Sequence, residues 1–352
     1  MNIHDILQQL VELEGSDLHI VVGHKPYFRV KGELLPVDQA PVLNAQMAEA
    51  LIAPLMTQEQ REYVEVNKEL DFGYQFGQAG RFRTNVYHTK GDLAAALRLI
   101  PSKIKTLEEL SLPPFFEKLT QYKQGFVLLT GPTGEGKSST LAAIIDKINH
   151  QRADHIVTIE DPIEFIYTPD KSVISQREVG HDTQDWQIAL KSVLREDPDV
   201  VLVGEMRDYE TIASALTVAE TGHLVFATLH TATAAQTIDR IIDVFPAAQQ
   251  GQVRQQLAAT LLAVASQRLL PRKDGQGRVP AVEMMFANDA IRNLIRESKT
   301  YQIDNTIQTS GSQDMMLIEK HLAQLVQQGM ISQEVALRQA FRPNEMQRLL
   351  GG

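Results

Sequence analysis

The sequence predicts an α/β protein, with a doubly wound parallel sheet in its larger C-terminal part and a smaller mixed domain before it. Two observations lead to this fold class. Short apolar runs alternate with helical stretches after Gly125, as expected for buried parallel strands in a doubly wound sheet. The length of 352 residues and the hydrophobic content of 43% suit two domains with packed cores.

The composition excludes several classes of protein. A charged fraction of 22% argues against a disordered chain, and the absence of cysteine excludes disulfides and thiolate metal sites. A net charge of -10 disfavours DNA or RNA as the main partner. The N-terminus lacks the features of a secretory signal, and no stretch approaches the roughly 18 apolar residues of a membrane-spanning helix. We therefore expect a soluble cytoplasmic protein.

Residues 1–100 are predicted to form the smaller domain. Apolar spacing indicates a helix from Asn2 to Leu13, and turns are expected at Gly23 and Gly32. Later stretches indicate helices, in "QMAEALIAPLM" and "QEQREYV", and strands, in "DLHIVV", "YFRVKGELLPV", "LDFGYQF", "RFRTNVYHT" and "LAAALRLI". A linker is predicted over 101–115, because Pro101 follows the last strand and Pro113-Pro114 break any helix.

The second domain is predicted over 116–352. Its buried strands are expected in "GFVLLT", "HIVTIE", "VVLVGE" and "HLVFATLH". The helices between them are expected in "SSTLAAIIDKIN", "WQIALKSVLR" and "YETIASALTVAET". After Pro246 the apolar spacing predicts a helical C-terminal part, in "VRQQLAATLLAVASQRLL", "AIRNLIRES", "MMLIEKHLAQLVQQ" and "SQEVALRQAF".

A phosphate-binding loop lies between the first of these strands and its helix. Gly131, Gly136, Lys137 and Ser138 match the G-x-x-x-x-G-K-[ST] pattern in the strand–turn–helix context that it requires. Glycines let successive N–H groups surround phosphate oxygens, and the following helix N-terminus favours an anion. We expect Lys137 to reach the β and γ phosphates and Ser138 to ligate Mg²⁺. The predicted nucleotide contacts are Gly131, Pro132, Thr133, Gly134, Glu135, Gly136, Lys137, Ser138 and Ser139.

Glu135 places a carboxylate within this loop. Because the backbone amides and Lys137 provide most of the binding, position 135 is expected to contribute its N–H while its side chain points outward. The acid either weakens phosphate binding or meets a cation from a neighbouring molecule. The simpler interpretation is a solvated surface carboxylate.

Glu205 is the best candidate to position or deprotonate the attacking water. It ends the apolar strand "PDVVLVGE", and α/β sheets bind ligands at the carboxyl ends of their strands. Many P-loop proteins hold Mg²⁺ with an aspartate one position earlier, where this chain has Gly204. The alternative is an incidental acid at a strand end.

Other polar residues stand near predicted strand ends. Glu160, Asp161 and Glu164 would suit a site with Mg²⁺ or water between carboxylates, although acids before a proline are usually solvated. His230 follows a buried strand and could sense a γ-phosphate, whereas His223 at its other end is expected to pack.

Three arginines lie on or near the last strands of the smaller domain, and arginine stabilises phosphate charge well in trans. Surface arginines are the plain alternative for this set, which comprises Arg81, Arg83 and Arg98.

Several motifs together resemble a known family. They occur in the order "SDLHI", "GRFRTNVY", "GPTGEGKSSTLAAIID", "TIEDPIEF", "PDVVLVGEMRD", "TGHLVFATLHT" and "AIRNLIRES". They resemble the secretion ATPases of the type II secretion and type IV pilus superfamily, and among them the pilus retraction ATPases. The resemblance covers nearly the whole chain, and "AIRNLIRE" (Ala290 to Glu297) is typical of the retraction enzymes.

The resemblance implies a PAS-like N-terminal domain joined to a RecA-like ATPase domain, with ATP and Mg²⁺ bound between the two in a hexameric ring. It also implies residue roles: Glu205 as the catalytic glutamate of an atypical Walker B motif, Glu160 and Glu164 in an Asp box, His223 and His230 in a His box, and Arg81, Arg83 and Arg98 approaching the γ-phosphate. The implied function is ATP-driven pilus retraction, with pilin depolymerisation and twitching motility. The implied partners are an inner-membrane platform protein and the pilus machinery, at the cytoplasmic side of the inner membrane.

Two departures from the family pattern stand near these residues. The family usually has serine where Glu135 stands, and "HTNSA" where this chain reads "HTATA" from His230. Alternatives remain: an accessory retraction paralogue, another superfamily ATPase, a nucleotide-binding ring with little turnover, and a RecA-like nucleic-acid motor. Pilus extension and type II secretion ATPases generally carry a tetracysteine site, which this chain lacks.

Overall fold

The computed structural model describes residues 2–30, 32–77, 80–100 and 103–351. Pro101, which the sequence places in the linker, lies outside the described residues. The chain divides into two compact units: unit 1 comprises Met1–Lys103 and Pro162–Ile166, and unit 2 comprises Ile104–Asp161 and Tyr167–Gly352. In the part of the chain that the structure describes, no helix combines the length and the apolar character that crossing a bilayer requires.

Unit 1 is a six-stranded antiparallel sheet with three α-helices. The sheet order is β3-β2-β1-β6-β5-β4. The elements are α1 (Ile3–Glu12), β1 (Asp17–Ile20), β2 (Tyr27–Val30), β3 (Glu33–Pro36), α2 (Ala45–Ile52), a 3-10 turn (Ala53–Leu55), α3 (Gln58–Asn67), β4 (Glu69–Phe76), β5 (Gly80–Thr89) and β6 (Asp92–Ile100). The helices and strands that the sequence predicts in this region are confirmed.

Alternation of apolar and polar side chains explains this sheet. Along β5 every second residue from Gly80 to Val86 is buried, because successive strand residues point to opposite faces. Phe82 and Val86 pack in one core with the buried face of α1. Asn2 caps α1 by accepting the Asp5 N–H at 2.9 Å, which satisfies one of the unpaired amides of the first turn.

Unit 2 contains a seven-stranded sheet of order β13-β12-β7-β11-β10-β8-β9. All neighbouring strands are parallel except β13, which runs antiparallel to β12. The elements are a 3-10 segment (Pro114–Thr120), β7 (Gly125–Thr130), α4 (Lys137–Gln151), β8 (His155–Glu160), β9 (Val173–Glu178), α5 (Trp186–Val193), β10 (Val200–Val203), α6 (Tyr209–Glu220), β11 (Leu224–Leu229), α7 (Ala234–Asp243), α8 (Ala247–Thr260), β12 (Leu261–Pro271), β13 (Arg278–Phe286), α9 (Asp289–Arg296), a 3-10 turn (Thr300–Gln302), α10 (Ile303–Thr309), a 3-10 turn (Gly311–Gln313), α11 (Ile318–Gln327), α12 (Gln333–Gln339) and α13 (Pro343–Gly351).

The central strands of this sheet are buried on both faces. Every residue of β7, β10 and β11 is buried, which is why their sequences are nearly continuous apolar runs. Because these strands are parallel, their carboxyl ends share one edge of the sheet. That edge holds the loop after β7 and the residues that end or follow β8, β10 and β11.

The prediction of helix throughout "VRQQLAATLLAVASQRLL" is wrong. The helix α8 ends at Thr260, and Leu261–Pro271 form β12 beside β7. The apolar run from Leu261 is buried almost throughout, and such a run has the same appearance in a buried helix and in a buried strand. The predicted helical C-terminal part therefore contains two strands, β12 and β13, before its helices.

The edge strand β13 contributes a buried carboxylate. Glu283 is 0% exposed, and its Oε1 accepts the N–H of Ala234, the first residue of α7, at 2.8 Å. Among the described residues, Oε2 has no hydrogen-bond partner. Burial raises the pKa of Glu283 from 4.5 to about 7, and Asp304 and Glu319 also raise it, while the Ala234 N–H and Arg342 act in the opposite direction.

We expect Glu283→Gln to become more stable relative to the parent as the pH rises from 5 to 8. The folded parent holds a proton that the unfolded chain loses above 4.5, so its stability falls until the pH passes about 7. The full difference corresponds to about 3 kcal/mol. Urea unfolding at several pH values, monitored by the fluorescence of Trp186, measures the difference in unfolding free energy between variant and parent. Trp186 is the single tryptophan and lies in unit 2. A stability difference that stays constant with pH contradicts this prediction, and Glu334→Gln, at an exposed acid on α12, is the control.

Candidate nucleotide-binding and hydrolysis site

The loop between β7 and α4 has a backbone conformation that only glycines adopt easily. Gly131, Gly134 and Gly136 have φ values of 140°, 83° and 79°. The helix α4 begins at Lys137, directly after the loop. Its first amides lack acceptors within the helix, and its N-terminus carries partial positive charge. The loop therefore has the conformation and the polarity of an anion-binding site.

Lys137 lies inside the loop. Lys137 is only 8% exposed, and its Nζ donates to the carbonyl oxygens of Gly131 at 2.7 Å and Pro132 at 2.9 Å. Ser138 and Ser139 follow in the first turn of α4 and are partly buried. The ammonium is thus positioned by the loop backbone itself.

Strand β12 supports this loop. A Cβ atom on Gly131 would come within 2.3 Å of the Gln267 carbonyl oxygen, so a larger residue cannot replace this glycine without a shift. The Gln267 side chain donates to the Glu135 carbonyl at 2.7 Å and accepts from Thr140 Oγ1 at 2.9 Å. Thr130 and Ser266 join β7 to β12 through their hydroxyls at 2.8 Å. Gln267 escaped the sequence analysis because β12 resembled a helix.

Glu135 points to β12. Its Oε2 accepts the backbone N–H of Leu269. Its carboxylate is therefore engaged within the chain, and the interpretation as a merely solvated surface acid is wrong.

Glu205 follows β10 and contacts two basic side chains. His230 Nε2 lies 2.7 Å from Oε1, and Arg207 donates to Oε2 at 2.8 Å. Burial of Glu205 opposes its ionisation, but the Arg207 hydrogen bond and the charges of His230 and Arg207 outweigh this effect, so the pKa of Glu205 is lowered. An ionised carboxylate only accepts hydrogen bonds, so His230 Nε2 is the donor in this contact. Arg207 was missed from the sequence, although it stands two positions after Glu205.

Gly204 lies where many P-loop proteins have an aspartate. A Cβ atom here would lie 3.3 Å from both the Glu160 Cα and the Ile159 carbonyl oxygen of the neighbouring strand β8. Both contacts are to backbone, which cannot move aside easily. The close approach of β8 therefore explains why position 204 is glycine. Glu205 is then the acid that follows β10.

The remaining unit 2 candidates lie at strand ends. Glu160 ends β8, is 8% exposed, and accepts the Thr158 hydroxyl at 2.7 Å. His223 precedes β11 and lies within hydrogen-bonding distance of Val218 O and Thr221 Oγ1, at 3.1 and 3.0 Å. His223 is thus bonded within its own turn, at the opposite end of β11 from His230.

The structure assigns Glu164 to unit 1 with the three arginines, whereas Glu160 belongs to unit 2. Arg83 forms a two-atom contact with Asp71 at 3.0 and 2.6 Å and lies 4.0 Å from Glu164.

The other two arginines also have partners within unit 1. Arg98 donates to Asp17 at 2.9 Å. Arg81 covers Gly73, where a Cβ atom would lie 2.1 Å from its Nη2.

Comparison with known proteins places these features in a family. The family model described as type II/IV secretion system protein matches residues 1–350. The chain belongs to this family. Among its relatives, a twitching motility protein of Neisseria gonorrhoeae is 48% identical over 91% of this chain and 86% of the relative. The type IV pilus retraction ATPase PilT of Pseudomonas aeruginosa is 47% identical over 97% of this chain and 99% of its own length.

A solved structure of the same family shares the fold. The crystal structure of the pilus retraction motor PilT with bound ADP matches with a TM-score of 0.93 and 44% identity, over 99% of both chains. This match confirms the predicted fold class, an α/β secretion ATPase with a smaller N-terminal domain before the ATPase domain. It also confirms the family resemblance stated from the sequence motifs.

Proposed function

We propose that this chain is an ATPase motor that powers type IV pilus retraction. The observation that carries the proposal is the shared strand edge: a phosphate-binding loop with Lys137 inside it, and Glu205 bound to His230 two strands away. The relatives named for pilus retraction and twitching motility support the biological role. The ADP in the related motor supports nucleotide as the ligand.

The loop suits a nucleotide polyphosphate. Its three positive-φ glycines leave the main-chain amides available to phosphate oxygens, and a Cβ atom on Gly134 would meet nothing within 4 Å. Lys137 exchanges the carbonyls of Gly131 and Pro132 for phosphate oxygens when nucleotide binds. Ser138, in the first turn of α4, would ligate Mg²⁺, which would neutralise charge on the phosphates.

Glu205 acts on the water that attacks the γ-phosphate. Strands β7, β11 and β10 are neighbours, so the loop and Glu205 stand two strand spacings apart, roughly 10 Å. A polyphosphate bound in the loop would extend part of the way toward Glu205. The attacking water would lie between the γ-phosphate and Glu205. His230 orients the carboxylate, and the lowered pKa of Glu205 keeps it ionised and able to accept a proton.

Unit 1 is assigned as the PAS-like domain and unit 2 as the RecA-like domain. We assign to Arg81, Arg83 and Arg98 the stabilisation of negative charge on the γ-phosphate. In this role Arg83 leaves its partner Asp71 and contacts phosphate instead. ATP favours the conformation of the chain that binds it more tightly, because a ligand shifts a conformational equilibrium by its differential affinity for the two states.

Hydrolysis removes the γ-phosphate and with it this conformational preference, and a homohexameric ring transmits the resulting motion to an inner-membrane platform protein. We place the motor at the cytoplasmic face of the inner membrane. Glu160 and Glu164 are assigned to the Asp box, and His223 and His230 to the His box.

Three measurements test this function. Purified protein should release phosphate from Mg-ATP and show a hexamer by native mass spectrometry. Cells that lack the chain should keep surface pili and lose twitching, and the parent gene, but not a Lys137→Ala variant, should restore it. Retained twitching in the deletion strain would instead indicate an accessory paralogue. Nucleotide binding without phosphate release would indicate a ring with little turnover.

A further inference from the structure

Strand β12 extends past the end of its neighbour β7. Their pairing ends at Ser266 and Thr130. Beyond this point β12 continues to Pro271, whereas the segment after β7 turns into the phosphate-binding loop. Along this extension β12 remains paired with β13 on its other side. Backbone amides of the extension that face the loop therefore need acceptors other than a sheet neighbour.

Leu269 has such an amide. Its cross-strand partner in β13 is Pro280. The Leu269 N–H points to the loop, where the Glu135 carboxylate accepts it. A hydrogen bond to an ionised acceptor is stronger than one between neutral groups. A side chain of the loop thus completes the hydrogen bonding of the sheet.

A second bond joins the same residue to the same strand. The Glu135 main-chain carbonyl accepts from Gln267 Nε2 at 2.7 Å, and Gln267 is only 2% exposed. Packing reinforces both bonds, because a Cβ atom on Gly136 would lie 3.1 Å from Gln267 Nε2 and 3.1 Å from Leu269 Cδ1. The loop is therefore held against β12 at two consecutive residues, Glu135 and Gly136.

We propose that Glu135 is a positioning residue that fastens the phosphate-binding loop to β12 and holds the loop ready for nucleotide. The inference rests on the proposed function in so far as the ligand is a nucleotide. Engagement with Leu269 also confines the carboxylate to β12. A serine at this position is too short to make the same bond while its main chain stays in place.

Three variants separate this role from simple charge repulsion. Glu135→Gln keeps an acceptor oxygen for Leu269 and removes the charge, whereas Glu135→Ala removes both. Glu135→Ser shortens the side chain and serves as a second test if the alanine variant fails to fold. Glu210→Ala, on the exposed first turn of α6, is the matched control.

The readouts are hydrogen exchange of the Leu269 amide without nucleotide, and the Kd for fluorescent ADP. We expect Glu135→Ala and Glu135→Ser to speed Leu269 exchange by about tenfold or more and to weaken ADP binding by about five- to tenfold, the cost of one lost hydrogen bond. Glu135→Gln keeps a neutral acceptor, so its changes should be smaller than those of Glu135→Ala in both readouts.

Unchanged Leu269 exchange in Glu135→Ala overturns the proposal, and so does tighter ADP binding, which would mean that the acid only repels phosphate. If the parent itself binds no ADP, the proposed function fails. The exchange of Leu269 in nucleotide-free protein still decides whether Glu135 holds the loop.

Discussion

Replacing Glu205 with glutamine should stop ATP turnover and leave nucleotide binding nearly unchanged. The amide keeps the size of the side chain but cannot accept a proton from water. Loss of a general base lowers kcat by about 10²- to 10⁴-fold. Binding should persist because the amides and Lys137 that we propose to hold phosphate belong to the loop after β7, whereas Glu205 follows β10.

The measurement pairs steady-state phosphate release with the Kd of Mg-ADP for each protein. Glu210→Gln, an exposed acid in the first turn of α6, is the control and should behave as the parent does. Turnover by Glu205→Gln at the parent rate would show that another group activates the water. A joint loss of turnover and binding would show that Glu205 supports the loop instead.

Replacing Lys137 with alanine should weaken nucleotide binding by about 10- to 150-fold. The ammonium provides charge-assisted hydrogen bonds to phosphate, each worth about 1.5–3 kcal/mol. The change also removes the donor that Gly131 and Pro132 share, so the loop loses its internal support. Calorimetric titration with Mg-ADP measures the effect.

Lys147→Ala is the matched control for this variant. Lys147 lies on the same helix, α4, and pairs with Glu117 at 2.7 Å. Its loss should leave the Kd within about twofold of the parent, because its partner Glu117 lies outside the phosphate-binding loop. Equal affinities for Lys137→Ala and the parent would contradict the assignment of the loop as the phosphate site.

The central strands and the loop were predictable because each has a strong local pattern. The runs in β7 and β11 are short, apolar and bounded by turn residues, and the glycines of the loop adopt positive φ. Local patterns did not distinguish β12 from a helix, since a segment buried on both faces shows no periodicity. The loss of β12 from the prediction also concealed Gln267, whose role depends on lying beside the loop.

The contacts of the charged residues depend on tertiary structure. Glu160 and Glu164 are four positions apart, yet the structure assigns them to different units, which no spacing rule could have predicted. Glu135 accepts a hydrogen bond from Leu269 because β12 extends beyond the end of β7. Position 204 is glycine because the backbone of β8 lies close to where a Cβ atom would stand. Arg207 contacts Glu205 because the chain turns after β10. Sequence spacing places residues along an element, and only the packed sheet shows their partners.

The most direct test is phosphate release during a single turnover, from protein whose bound Mg-ATP is measured in the same sample. The account predicts that the parent binds ATP and releases phosphate, while Glu205→Gln fills to the same extent and releases none on that timescale. Absence of ATP binding by the parent in every assembly state, or equal phosphate release by the two proteins, would contradict it.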